Sequence, residues 1–211
     1  MHTNIPAREA LARLREGNRR FASNVRSVDT LLSQTRRAEL VSRQRPFATI
    51  LGCSDSRAPA ELLFDAGLGE LFVIRVAGNV VAPSQVGSVE FAVTRFGTNL
   101  VVVMGHTHCG AIDATIEAVT RGGVVESLGL RDIVDRVRPA VVSVAQQGEA
   151  DDLDALARRA ERANVRIAVD HLRHGSAILE RYREQGLVVV GAEYDLETGL
   201  VDFFEGADGL G

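Results

Sequence analysis

Only two cysteines occur in the 211 residues, and each stands among other side chains able to do chemistry. Cys53 opens CSDSR, with Asp55 and Arg57 following at two-residue intervals, and Cys109 lies three residues after His106 in GHTHCG. Two thiolates and one imidazole suit zinc. Three protein ligands would leave the fourth tetrahedral position to water or substrate, as in a catalytic site. Each residue alone has a plainer reading, a small buried cysteine or a histidine at the edge of the core; the three together point to a metal. In an extended backbone Asp55 and Arg57 face the same side as Cys53. Asp55 then reads as a carboxylate that accepts a hydrogen bond from a zinc-bound hydroxide, held by Arg57 in a charge-assisted grip. The alternative is a surface ion pair of little energetic weight. His2, His171 and His174 have no cysteine nearby and read as surface residues.

Strands must carry these residues to one place. Short β-rich runs, FATILG (47–52), LFVIRVAG (71–78), LVVVMG (100–105) and LVVVGAEYD (187–195), alternate with helix-patterned segments at 83–97, 111–120, about 130–147, 152–173 and 176–186. Such alternation predicts an α/β fold. Runs apolar on both faces predict a mostly parallel sheet of about four strands flanked by helices, with GLVDFF (199–204) as an antiparallel edge strand behind the turn DLETG. In an open parallel sheet, loops at the carboxyl ends of the strands form the ligand crevice. Cys53 ends the first strand and GHTHCG ends the third, so neighbouring positions for those strands would unite the three donors.

The chain reads as a single domain, 1–211, whose residues 1–45 form an N-terminal helical arm with Leu11, Leu14 and Phe21 on a helical repeat after Pro6. Ten Arg against four acids give the arm a local charge of +6, and 14 against 24 give the rest −10. The arginines are spread along amphipathic segments with no aromatic platform, which argues against nucleic acid and for an arm packed on the acidic body or a partner subunit. All 24 basic residues are Arg. No run approaches the roughly 18 apolar residues of a membrane span, and the opening residues lack the apolar core of a signal peptide. The expectation is a cytoplasmic protein without membrane partners, in which a disulfide is disfavoured and the thiols serve metal binding.

CSDSR followed by GHTHCG resembles the C-x-D-x-R and H-x-x-C signatures of the β-class carbonic anhydrases. The resemblance extends through EGNRRF (16–21), RVAGNVV (75–81), VGSVEFAV (86–93) and GAEYDLETG (191–199), nearly the whole chain. It implies Zn2+ held by Cys53, His106 and Cys109, with Asp55 and Arg57 as the catalytic dyad orienting the hydroxide. It implies reversible hydration of CO2 to bicarbonate and a proton. Gln44 would donate a hydrogen bond to bicarbonate, Phe72 and Phe91 would wall the pocket, and Ala77 and Gly110 would lie near the substrate. It further implies a homo-oligomer, a dimer or a tetramer of dimers, in which a neighbouring subunit supplies part of the wall and the arm wraps the partner.

One branch of that family closes the site at low pH with the equivalent of Asp55 as a fourth ligand, and binds inhibitory bicarbonate at a Trp–Arg–Tyr pocket. Arg75 and Tyr194 match the last two positions, but Ile50 stands at the Trp position and the chain has no Trp; an open site is expected. His108 is either a proton shuttle or a packing residue beside the ligands. Two other functions fit the same residues: a CS2 or COS hydrolase on this fold, and a non-catalytic structural zinc protein. The second would want a fourth Cys or His, and His108 is too close to His106 to serve.

Overall fold

Residues 4–28, 37–122, 125, 127–146 and 152–210 are described by a computed structural model of the chain. The valine-rich runs form strands β1 (Ala48–Gly52), β2 (Leu71–Arg75), β3 (Leu100–His106) and β4 (Val188–Tyr194), followed by β5 (Val201–Glu205). Their order is β2-β1-β3-β4-β5; the first four are parallel and β5 runs antiparallel to β4. The turn before β5 is set by Asp195, whose Oδ1 accepts the N–H groups of Glu197 and Thr198, both at 2.8 Å. The second strand stops three residues before its predicted end. Gly78 and Asn79, at φ 67° and 43°, bend the chain into a 3-10 turn over Ala77–Asn79.

Helices cover both faces because alternate residues of each strand point to opposite sides. On one face Ile50, Val102, Val190 and Ala192 meet α1 (Ala7–Ala22) through Leu11 and Leu14. On the other, Leu51, Val101, Val103 and Val189 meet α2 (Pro83–Phe96) through Val89 and Val93. They also meet α5 (Leu153–His174) through Val165, Val169 and Leu172, and α6 (Ala177–Glu184) through Leu179. A third cluster joins α3 (Gly110–Thr120), α4 (Leu128–Ala145) and α5 at the carboxyl ends of the strands, and both cysteines belong to it. Close approach of α5 requires glycine on the sheet: a Cβ at Gly105 would lie 2.7 Å from Val165 Cγ2. No helix of the described residues is long and apolar enough to cross a membrane.

The arm is helical over Ala7–Ala22 and Arg37–Leu40, while residues 1–3 and 29–36 lie outside the described residues. Its apolar stripe packs on the body of this same chain, one of the two placements expected of it. Leu11 and Leu14 are fully buried within this chain, and Phe21 meets Tyr194 edge-on at 6.3 Å between ring centroids. Gly17 makes this possible, since a Cβ there would stand 1.9 Å from the carbonyl oxygen of Phe64.

Candidate metal centre

Strands β1 and β3 are neighbours in register, Gly52 opposite Met104, so the next residues of each, Cys53 and Gly105–His106, emerge together. The ligand atoms of Cys53, His106 and Cys109 lie within 4.8 Å of one another and all three residues are buried. Cys109 follows from the loop that ends β3 and is the N-cap residue of α3. His106 Nδ1 stands 2.9 Å from the carbonyl oxygen of Thr107, the contact of a protonated Nδ1 that donates. That tautomer leaves Nε2 a free acceptor, buried and without a hydrogen-bond partner. Gly78 donates its N–H to Cys53 Sγ at 3.3 Å.

The electrostatics of the cluster follow from this convergence. The two thiols perturb each other: interaction with Cys109 lowers Cys53 towards the thiolate, while Cys53 and burial push Cys109 up. Burial alone would lower the His106 imidazole, but the Cys53 sulfur and the Thr107 carbonyl outweigh it and the net direction is up. Two sulfurs and an unpartnered imidazole nitrogen, buried and converging, are a donor set that fits a tetrahedral metal with one position left open.

Asp55 and Arg57 stand at the rim. Arg57 Nε donates to Asp55 Oδ1 at 3.0 Å and Nη2 to Oδ2 at 2.7 Å, a bidentate pair, and Nη2 also reaches the His108 carbonyl at 3.1 Å. The Arg57 hydrogen bonds hold the Asp55 carboxyl well below the usual carboxylate range. Asp55 Oδ2 lies 3.9 Å from His106 Nε2, yet Asp55 does not join the three-residue cluster. The backbone here is not extended as expected. Asp55 Oδ1 accepts the Arg57 N–H at 2.9 Å and the Asp55 carbonyl accepts that of Ala58, so the chain turns within the motif. An aspartate whose side chain accepts the N–H two residues on closes its own turn, and it is this turn that brings guanidinium and carboxylate side by side.

The other expected site residues fall into two groups. Ala77 and Gly110 line an open apolar cleft of about 630 Å³ between α3 and α4, with Ala111, Ala114, Ile133 and Val134. Gln44, Phe72 and Phe91 lie towards the opposite end of the sheet. Gln44 is exposed beside Gly69, just before β2; Phe72 pairs with Thr49 near the start of β1, and Phe91 stacks on Phe72 at 6.1 Å. Within one chain these three do not meet the cysteines. Arg75 is committed to the site loop, Nε donating to the Cys53 carbonyl at 3.0 Å and Nη2 to the Asp55 carbonyl at 2.6 Å. Ile50 and Tyr194 are buried in the α1-side core. His108 is exposed, with a left-handed backbone at φ 57°.

Two residues next to the centre escaped the sequence reading, Glu161 and Asn164 on α5. Their signal was available: they are polar residues on the face that otherwise carries Leu156, Ala160, Val165 and Ala168.

The chain matches the family model described as Carbonic anhydrase over residues 48–201. It is 39% identical over 186 residues to carbonic anhydrase 2 of Mycobacterium tuberculosis, covering 88% of this chain and 87% of that protein. A solved β-carbonic anhydrase of Aspergillus fumigatus superposes with a TM-score of 0.72 at 26% identity, covering 95% of this chain and 91% of that one. Tetrameric β-carbonic anhydrases of Sordaria macrospora give a TM-score of 0.73 at 23% identity over 83% of this chain and 89% of theirs, a likeness of fold.

Proposed function

The chain belongs to the β-class carbonic anhydrase family, and from that premise we propose how its residues hydrate CO2 reversibly to bicarbonate and a proton. The observation that carries the reading is the buried Cys53–His106–Cys109 cluster with the Asp55–Arg57 pair at its rim. Zinc held by those three side chains would supply a nucleophile near neutral pH by lowering the pKa of water, from about 15.7 towards about 7 in the three-histidine carbonic anhydrases, and less far with two thiolates donating charge. Asp55, kept ionised and fixed by Arg57, accepts the hydrogen bond that orients this nucleophile. Ala77 and Gly110 leave room for CO2 in the apolar cleft. His106 keeps its donor nitrogen on Thr107 and so would hold the metal through Nε2.

Gln44, Phe72 and Phe91 complete the site from a second copy of the chain. Supporting this are their distance from the cysteines of their own chain, the half-exposed ring of Phe91 (52%) and the open edge of β2. The functional unit is then a symmetric dimer carrying two composite sites. With Arg75 engaged by the Cys53 and Asp55 carbonyls and Ile50 in the core, the bicarbonate pocket of the closing branch has no counterpart, and the site works in its open form. Ligand thiols must stay reduced, which favours a reducing compartment such as the cytoplasm. A purely structural zinc site is disfavoured, because among the described residues no fourth Cys or His joins the cluster.

The test pairs metal analysis with CO2-hydration kinetics. Cys53→Ser and Cys109→Ser should lose zinc. Asp55→Asn and Arg57→Ala should keep zinc but lose roughly 10²-fold or more in hydration rate, the scale for removing one orienting or stabilising hydrogen bond. Full zinc occupancy in both serine variants, or unchanged rates in both dyad variants, would overturn the assignment.

A further inference from the structure

Two buried polar side chains adjoin the metal centre without belonging to its donor set. Glu161 and Asn164 are each 3% exposed and stand three residues apart, on one face of α5. Glu161 Oε1 accepts the backbone N–H of Cys109 at 3.1 Å. Asn164 Nδ2 donates to the Gly78 carbonyl at 2.8 Å, and the N–H of the same Gly78 donates to Cys53 Sγ. One helix face thus reaches the Cys109 loop directly and the Cys53 sulfur at one remove, through Gly78 in the turn that follows β2.

The physical cost of this arrangement argues that it serves the site. A buried carboxylate loses several kcal/mol of hydration, and burial accordingly pushes Glu161 up. An apolar residue would serve the α5 packing better. Leucine could not, however, accept the amide of Cys109, which is the N-cap of α3 and whose own side chain makes no capping bond. Asn164 likewise does what no apolar residue can, since it holds the carbonyl of Gly78, the residue whose N–H, one peptide unit earlier, meets the Cys53 sulfur.

We propose that Glu161 and Asn164 are positioning residues through which α5 clamps the two thiol ligands, Glu161 acting on Cys109 and Asn164 on Cys53 by way of Gly78. The inference rests on the reading of Cys53, His106 and Cys109 as a metal site. It makes reach, rather than charge, the property required at 161. Glutamine keeps both the length and the acceptor oxygen; aspartate keeps the charge but withdraws the acceptor by one methylene.

The experiment compares full-length Glu161→Gln, Glu161→Asp and Asn164→Leu with the parent. It uses zinc affinity from chelator competition and, after cobalt substitution, the thiolate-to-cobalt charge-transfer absorption. Glu161→Gln should bind zinc within about threefold of the parent and Glu161→Asp about 10–100-fold more weakly, the usual effect of losing a partner that orients a ligand. Asn164→Leu should weaken zinc and move the charge-transfer band to lower energy, because a thiolate deprived of its N–H donor holds its electrons less tightly. Should the leucine variant fail to fold, Asn164→Asp, which turns an acceptor towards the Gly78 carbonyl, is read in the same way. A merely structural role would lower thermal stability and leave both metal readouts alone. Zinc held more tightly by Glu161→Asp than by Glu161→Gln, or parent-like affinity and spectrum in the Asn164 variant, would overturn the clamp. If Cys53→Ser also bound zinc like the parent, the metal reading itself would fall, a result distinct from failure of the clamp alone.

Discussion

Mixing two inactive variants should restore activity. In Cys53→Ser the metal ligand is lost but Gln44, Phe72 and Phe91 are intact; in Gln44→Ala the reverse holds. The five residues of β1 alone separate the two ends of the sheet by about 16 Å, beyond the reach of a side chain, so Gln44 can serve only a neighbouring chain's cysteines. Co-refolded in equal amounts, the variants form hybrids in half of the dimers, and each hybrid has one site with both an intact metal and an intact wall. About a quarter of all sites are then complete in a two-fold dimer. Gln44→Ala alone should retain about 1% of parent activity, the scale for loss of one stabilising donor. Stopped-flow CO2 hydration of the mixture should therefore read about 25% of the parent, against half a per cent for the simple average. A mixture no better than that average would refute composite sites and return Gln44 to the surface.

Two further outcomes test the framework that positions the site. Gly105→Ala should destabilise by about 1–3 kcal/mol through overpacking against Val165. Val165→Ala should relieve part of that cost, giving a coupling of at least ~1 kcal/mol in urea denaturation, whereas additivity within about 0.5 kcal/mol would show that the contact is slack. Leu14→Ala removes a fully buried side chain from this chain's own core and should cost about 2–5 kcal/mol. A variant that instead melts like the parent while its dimer dissociates would move α1 onto the partner.

The donor set was legible because its chemistry is rare: two cysteines, each at the end of a two-faced apolar run, leave few other uses for the thiols. The strands were legible for the same reason, since runs such as LVVVMG suit only a sheet covered on both sides. Contacts made across the fold were not. The arm's stripe showed that something must cover Leu11 and Leu14, but that it was the core of Ile50, Val102 and Phe64 in the same chain depended on Gly17, a close approach no periodicity records. The CSDSR segment read as extended because alternation was the only local rule applied, while an aspartate able to accept its own backbone N–H two residues on was a turn signal in plain view. Glu161 and Asn164 were hidden differently: amphipathic helices carry many polar residues, and only the third cluster of the core reveals which of them point inward.

Asn79 and His108 hold left-handed backbones although neither is glycine, and both sit in the loops around the metal centre. Such a conformation costs an ordinary residue roughly 1–2 kcal/mol, less for asparagine. The loop at His108 nevertheless keeps its carbonyl aimed at Arg57. The loops at the catalytic end therefore hold part of this chain's backbone strain, as Asn24 and Asp65 hold it elsewhere, and selection for heat resistance alone would favour glycine at 108. That change would relax the strain and free the carbonyl that helps seat the Asp55–Arg57 pair, so durability and turnover pull this loop in opposite directions.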